Sequence, residues 1–400
     1  MTLKHAAASV GIAVLLTPAF INSVQAEETA KSSEHHHREL VQTVKEFPDS
    51  MPRFVYDSGL TFEYPDAVRG IYVTGHSAGG ERFNSLVELM NTTDLNAMVI
   101  DVKDDFGNLT YKPEEGSTFS DIGNTYIDDP RAMLEVLEEN AIYPIARVVV
   151  FKDTVLAEKR PELSFKENGQ VWKNGRGESF VNPFLKEVWD YNVQIAIEAA
   201  KMGFKEIQFD YVRFPEGFET RDDSLEYDLG EYAKNSDDGI NYRVDAVTDF
   251  VEYASEQLKD YDVDVSVDIF GYSATLEEAP GIGQNFNRIS EHVDVISSMI
   301  YPSHWTAYFG IDKPDLEPYN LVNEYSKVEN EKLAELDERP ISRPWLQDFT
   351  ASYLGSGNYM EYGAAEVQAQ IQALYDNDIN EFLLWNAGNT YTEGVDYLPE

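Results

Sequence analysis

Short apolar runs alternate with longer amphipathic segments along most of this chain. The runs are nearly continuous in Val, Ile and Ala, the composition expected of strands covered on both faces, while the segments between them repeat apolar residues at helical spacing. Eight extended segments are predicted, at 70–74, 97–102, 143–151, 206–212, 262–270, 294–300, 343–349 and 381–385. Between them lie seven helical segments, near 81–91, 130–140, 183–202, 241–259, 284–292, 319–337 and 364–378. Gly203 stands where the third helix should stop. Eight strands interleaved with seven helices predict an α/β fold of one domain, a (β/α)8 TIM barrel over 54–400. Little chain remains after the last strand for an eighth helix, and the segment 40–65 is expected to cover that gap or close the barrel floor. Long loops follow strand 3 (153–182) and strand 4 (216–239), and in such barrels the segments after strands form the catalytic face.

Composition narrows the setting. The first 26 residues carry Lys4, an apolar run broken by Pro18 and a small-x-small ending at Ala26, which reads as a cleavable secretory signal peptide and places the mature protein outside the cell. The run is shorter than the roughly 20 residues of a spanning helix, so no membrane association is expected after its removal. Residues 27–53 form a polar linker, in which His35, His36 and His37 are read as solvated because three consecutive side chains cannot all face one ion. With no cysteine, disulfides and thiolate metal sites are excluded, and stability must come from the core. The formal net charge is −41, more negative by one unit once Lys4 leaves with the signal. Such a surface repels nucleic acid and anionic membranes but is compatible with a neutral carbohydrate.

The strand ends carry the candidate chemistry. Strand 1 ends in Thr74-Gly75-His76, strand 2 in Asp101-Val102-Lys103-Asp104-Asp105, and strand 3 holds Arg147 in an otherwise apolar run. Strand 4 delivers Asp210 and Arg213 within Phe209-Asp-Tyr-Val-Arg-Phe-Pro215, and strand 5 delivers Asp268. Strand 6 runs into Tyr301-Pro-Ser-His304-Trp305, strand 7 into Gln347-Asp348, and strand 8 into Trp385-Asn386. Asp210 with Arg213 alone would read as a structural ion pair; repetition of polar and aromatic residues at eight ends points to a shared cavity. Two carboxylates on adjacent strands suit glycosidic bond cleavage, one protonating the leaving oxygen and the other meeting the developing cationic carbon. Asp210 is assigned as nucleophile or base and Asp268 as general acid. His76, Asp101, Lys103, Arg147, Arg213, Tyr301, His304, Trp305, Gln347 and Trp385 are assigned to substrate binding. No metal and no cofactor is expected.

Six motifs, running from Arg69-Gly-Ile-Tyr-Val-Thr-Gly75 and Val99-Ile-Asp-Val-Lys-Asp104 through Phe209–Pro215, Val267-Asp-Ile-Phe-Gly271 and Met299-Ile-Tyr-Pro-Ser-His304 to Arg343-Pro-Trp-Leu-Gln347, occur in order. Together they resemble a family of bacterial glycoside-hydrolase-like proteins with a TIM-barrel domain, distantly similar to the α-amylase clan. The resemblance covers about 69–389 and implies a carbohydrate-active barrel without naming its sugar. Against the α-amylase pattern, Asp210 aligns with the strand 4 nucleophile, but Gln208 stands where that pattern has Arg. Asp268 replaces the usual Glu of strand 5, and Gln347-Asp348 replaces His-Asp of strand 7, where Asp348 would be the transition-state stabiliser.

Two rival readings carry weight. Gly75-His-Ser-Ala-Gly79 fits the G-x-S-x-G nucleophile elbow of a serine esterase, with Ser77 as nucleophile and His292 or His304 as base. The same groove could also hold a glycan without cleaving it, as a carbohydrate-binding barrel associated with the cell wall. A metal-dependent deacetylase is disfavoured because no His-x-x-x-His or Asp-His ligand spacing occurs.

Overall fold

The computed structural model describes residues 55–232 and 241–398. The signal segment 1–26 and the linker 27–53 lie outside the described residues. From Phe54 onward the chain forms one compact unit.

Eight parallel staves run in chain order: β1 (Arg69–Val73), β2 (Ala97–Lys103), β3 (Tyr143–Val149), β4 (Glu206–Asp210), β5 (Asp264–Phe270), β6 (Val295–Met299), β7 (Trp345–Gln347) and β8 (Phe382–Trp385). Each pairs with its neighbours, and β8 returns to β1, so the sheet is a closed (β/α)8 barrel without free edges among its staves. The helices α1 (Glu81–Thr92), α2 (Pro130–Glu139), α3 (Lys186–Met202), α4 (Asn241–Leu258), α5 (Phe286–Ser290), α6 (Pro318–Leu333) and α7 (Ala364–Tyr375) alternate with them.

Period-two geometry explains the unbroken apolar runs. Tyr72, Val99, Ile145, Trp345 and Leu383 face inward and pack as an inner core. Their neighbours Ile71, Val73, Met98, Ile100, Ala146 and Leu384 face outward and join the larger shell beneath the helices. Both faces are therefore buried, and each fully covered Val, Leu or Ile contributes about 1.5–3 kcal/mol. α3 presents Val188, Ile195, Ala196 and Ala199 to that shell. It stops at Gly203, whose φ of 120° few other residues tolerate, and whose N–H bonds to the carbonyls of Ala199 and Ala200.

The N-terminal end of the barrel is plugged by charge. Arg343 is fully buried and donates to both oxygens of Glu206 (2.7 and 2.8 Å), to Glu381 (2.8 Å) and to the Tyr64 hydroxyl (2.8 Å). Tyr64 thus brings the described part of the segment 40–65 to the barrel floor. At the other end no helix follows β8 among the described residues; the chain folds back, and the Tyr391 hydroxyl and the Asn389 amide both donate to the Tyr72 carbonyl. Nothing in the hydrophobic pattern marks the insertion after β2, where strand Leu109–Tyr111 runs antiparallel to β2 and strand Gly123–Ile127 pairs beside it. The long loops after β3 and β4 are joined through paired backbone bonds between Lys166 and Glu226 (2.9 and 2.8 Å).

Candidate active site

Arg147 stands at the centre of the C-terminal mouth. It points inward from β3, and its guanidinium reaches carboxylates delivered by two neighbouring staves. Nη1 donates to Asp101 Oδ1 (2.7 Å), Nε and Nη2 donate to Asp210 Oδ2 (3.0 and 2.6 Å), and Nη2 also reaches Asp105 Oδ1 (2.8 Å). The Tyr72 hydroxyl donates to the other oxygen of Asp101 (2.6 Å). Lys152 donates to Asp105 Oδ2 (2.9 Å) and to the Tyr211 hydroxyl (3.1 Å), and pairs with Glu178 (3.1 Å). The Arg147 side chain is 1% exposed, so this network operates where charges are weakly screened.

Asp268 is held differently. In the register of β4 and β5, Phe209 lies level with Val267, so one step further along Asp210 and Asp268 are level on the same inward face. Neighbouring staves lie about 4.8 Å apart. Asp268 accepts a hydrogen bond from Trp345 Nε1 (2.7 Å) and, among the described residues, forms no ion pair with an arginine or lysine. Burial, reinforced by the negative charge of Asp210, pushes its carboxyl well above the ordinary range. Burial also raises Asp101, to about 6, against the opposing pull of Arg147 and Tyr72. Asp105 goes the other way: burial would raise it, but Arg147 and Lys152 together hold it below the usual carboxylate range.

The backbone turns sharply after Asp210. Tyr211 has φ 53°, a left-handed conformation that a bulky aromatic rarely adopts, and strain of this kind concentrates at functional sites. The turn lets the Tyr211 N–H donate to Asp210 Oδ1 (2.6 Å) and carries its ring toward Lys152, whose ammonium lies 4.2 Å from the ring centre. Trp385 completes the wall, stacked on Tyr72 at 4.1 Å and 5.6 Å from the Arg147 guanidinium. Tyr301 packs 6.3 Å from Trp385.

Residues 70–391 match a family described as "Putative glycosyl hydrolase domain". The chain belongs to that glycosyl hydrolase family. A hypothetical protein from Ruminiclostridium thermocellum ATCC 27405 is 34% identical over 50% of this chain and 96% of its own, with a TM-score of 0.43. The glycoside hydrolase domain of PgaB (BpsB) from Bordetella bronchiseptica is similar in fold at 14% identity, over 80% of this chain and 94% of that one, with a TM-score of 0.55. A β-galactosidase from the Antarctic haloarchaeon Halorubrum lacusprofundi is similar at 12% identity and TM-score 0.54, over 80% of this chain and 52% of that one. No curated protein matches the chain.

For a member of this family, the mouth explains one departure from the α-amylase pattern. Gln208 replaces the strand 4 arginine, but its lateral partner in the sheet is Arg147. The guanidinium that meets Asp210 therefore comes from the adjacent stave.

The structure brings Asp101, Arg147, Asp210, Asp268, Tyr301 and Trp385 together, and commits several other expected binding residues to contacts of their own. Lys103 does not reach the mouth. A bulge in β2 inserts one residue between the Asp101–Arg147 and Lys103–Val148 pairings, which turns Lys103 outward. There it is fully buried, bonded to Asp153 (2.6 Å) and to Asn192 of α3 (2.8 Å). Arg213 does not pair with Asp210; it donates to the Phe214 carbonyl and Glu216 and lies over the Phe270 ring at 4.5 Å. Gln347 is fully buried and committed to Ser303, Asp315 and the Phe349 carbonyl. Asp348 accepts from Thr392, tying down the C-terminal segment instead of facing Asp210. Trp305 packs against Tyr325 and Phe309, and His304 stacks edge-on with Tyr301. His76 is exposed beside the Tyr126 ring, 3.8 Å away.

The Gly75–Gly79 motif has a packing explanation. A side chain at Gly79 would meet the Tyr126 carbonyl at 1.6 Å, and one at Gly75 would meet Thr110 at 2.5 Å. Both glycines let the inserted strands lie against this turn. Lys152, Tyr72 and Trp345 belong to the site although nothing marked them as binding residues in sequence, and Asp105 was marked only by its place in an acidic run past a strand end. Among the described residues no cluster of His, Asp and Glu is arranged to hold a metal ion.

Proposed function

We propose that this family member is a secreted enzyme that cleaves glycosidic bonds in a neutral polysaccharide or oligosaccharide by a two-carboxylate mechanism. The observation that carries the reading is the contrast between two level carboxyls: Asp210 is ion-paired with Arg147, whereas Asp268 is ion-paired to no arginine or lysine among the described residues and is pushed toward its protonated form. A protonated Asp268 can donate to the leaving oxygen while Asp210 attacks or stabilises the anomeric carbon. Their level placement on neighbouring staves favours the separation of about 5–5.5 Å used in retention. NMR of the first anomer released tests that point, and inversion would remove Asp210 as nucleophile and make it a base.

Asp210 is 5% exposed and Asp268 2%, so both carboxyls sit deep below the rim. This depth favours a second reading, a barrel that holds glycan without cleaving it. Incubation with a panel of cell-wall and storage polysaccharides separates the two. Reducing ends should appear with the unaltered protein and vanish with Asp210→Asn and Asp268→Asn. Glycan retention without product would sustain the binding barrel instead. Loss of activity in Ser77→Ala with Asp210→Asn unaffected would restore the esterase.

A further inference from the structure

The mouth has two unlike sides. Across β2 to β4 its rim is charged, with Asp105, Lys152, Glu178, Arg213 and Glu216. Across β5 to β7 the rim includes the stretches 270–276, 301–311 and 349–360, none of which holds Asp, Glu, Lys or Arg, although the same loops carry Glu277, Glu278, Asp312 and Lys313 just beyond them. Aromatic side chains take their place. Tyr272 is 38% exposed, Tyr308 36% and Tyr353 66%.

These rings are anchored from behind. The Tyr308 hydroxyl donates to Thr275 Oγ1 (3.0 Å), joining the loops after β5 and β6, and the Tyr353 hydroxyl donates to Ser303 Oγ (3.0 Å), joining those after β6 and β7. Tyr308 also packs on Trp305 (5.4 Å) and Phe309 (4.7 Å). Tyr272 stacks on Phe270, two residues beyond Asp268 on the same strand. Fixed rings with open faces lose little conformational freedom when a flat apolar surface is laid on them.

We propose that these loops form a glycan-binding platform that receives an uncharged polysaccharide segment leading away from Asp210 and Asp268 on the β5–β7 side. The proposal rests on the reading of the mouth as a glycosidase site. Charge selects the occupant: a chain with a formal net charge of −41 would repel an anionic polymer, and Lys313 and Arg213 beside the platform are engaged by the Gly357 carbonyl and by Glu216. A pyranose ring presents C–H groups to an aromatic face without needing a charge partner.

Affinity electrophoresis in gels containing soluble starch, xylan or mixed-linkage β-glucan tests the platform, with polygalacturonate as the anionic comparison. At least one neutral polymer should retard the unaltered protein and Asp210→Asn alike, and polygalacturonate should not. Tyr308→Ala with Tyr353→Ala should weaken retardation at least tenfold, while Tyr308→Phe with Tyr353→Phe, which keep the rings, should retain most of it. Unchanged retardation in the alanine double variant would overturn the platform, as would preference for polygalacturonate. A dimer in sedimentation velocity that the alanine variants dissolve, with no glycan retardation, would also overturn it by assigning the face to a second copy. Retardation that depends on the tyrosines without any hydrolysis would uphold the platform and remove the hydrolase reading. Hydrolysis with tyrosine-independent retardation would do the reverse.

Discussion

Each end of the barrel buries an arginine among carboxylates, and only one end reads as a site. At the floor, Arg343 meets Glu206, Glu381 and Tyr64; at the mouth, Arg147 meets Asp101, Asp105 and Asp210. Ion pairing and burial are therefore shared features and cannot be what distinguishes catalysis. One difference remains: the mouth has Asp268, a carboxyl level with Asp210 that, among the described residues, is ion-paired to no arginine or lysine and that burial and Asp210 push upward against the weaker pull of Trp345 and Arg147. A satisfied hub holds a barrel together; on the proposed mechanism, an adjacent acid pushed toward its protonated form supplies the proton chemistry.

The largest expected effect belongs to the uncompensated pair. Asp268→Asn and Asp210→Asn should each lower kcat by at least about 10³-fold, the scale of losing a general acid or a nucleophile. Circular dichroism and thermal melts should show both variants folded. If Asp268→Asn retained more than a tenth of the activity, the contrast between the two ends would lose its chemical meaning.

At the floor the prediction reverses. Arg343→Met strands Glu206 and Glu381 in the interior, and breaking a buried pair in this way costs about 3–5 kcal/mol. The melting temperature should fall by about 4–7 °C. The turnover of molecules that remain folded should stay within about twofold of the unaltered protein. A hundredfold drop in kcat at a temperature where the variant is folded would mean that the floor sets the geometry of the mouth.

Arg147→Lys should lie between these cases. A lysine cannot span Asp101, Asp105 and Asp210 from one planar group, so Asp210 would lose its paired contacts from Nε and Nη2. A fall in kcat of about 10²-fold is expected, comparable to losing a fixed electrostatic donor. Little change in kcat with a large loss of stability would place Arg147 in the same structural role as Arg343.

Much of this contrast was legible in the chain, for identifiable reasons. Eight apolar runs and seven amphipathic segments specify the barrel because both faces of every stave are covered. Asp210, Asp268, Arg147 and Asp101 stood out because each interrupts or ends such a run. Lys103 misled because period-two counting assumes an unbroken strand, and the bulge in β2 moves it to the opposite face. Gln347 and Asp348 occupy family-like positions, yet local loop contacts absorb their hydrogen bonds. The floor was invisible as a network, since Arg343 lies 137 residues from Glu206 and 38 from Glu381 and only barrel closure brings them together. Lys152 and Glu178 sit in a loop with no period to expose their partnership.

The smallest effect is the sharpest probe of the mouth. Trp345 donates its indole N–H to Asp268, a bond that favours the carboxylate and so opposes the rise caused by burial and Asp210. Trp345→Phe removes the donor and most nearly keeps the ring, and it should raise the Asp268 carboxyl further. An acid catalyst works while protonated, so activity declines as pH rises through its pKa; raising that pKa moves the alkaline limb of the rate profile to higher pH. About one pH unit is expected, equivalent to about 1.4 kcal/mol, the scale of one hydrogen bond. A shift of the alkaline limb to lower pH would assign that limb to another group, and an unmoved limb would remove Asp268 as the acid while leaving Arg147 and Asp210 as they stand.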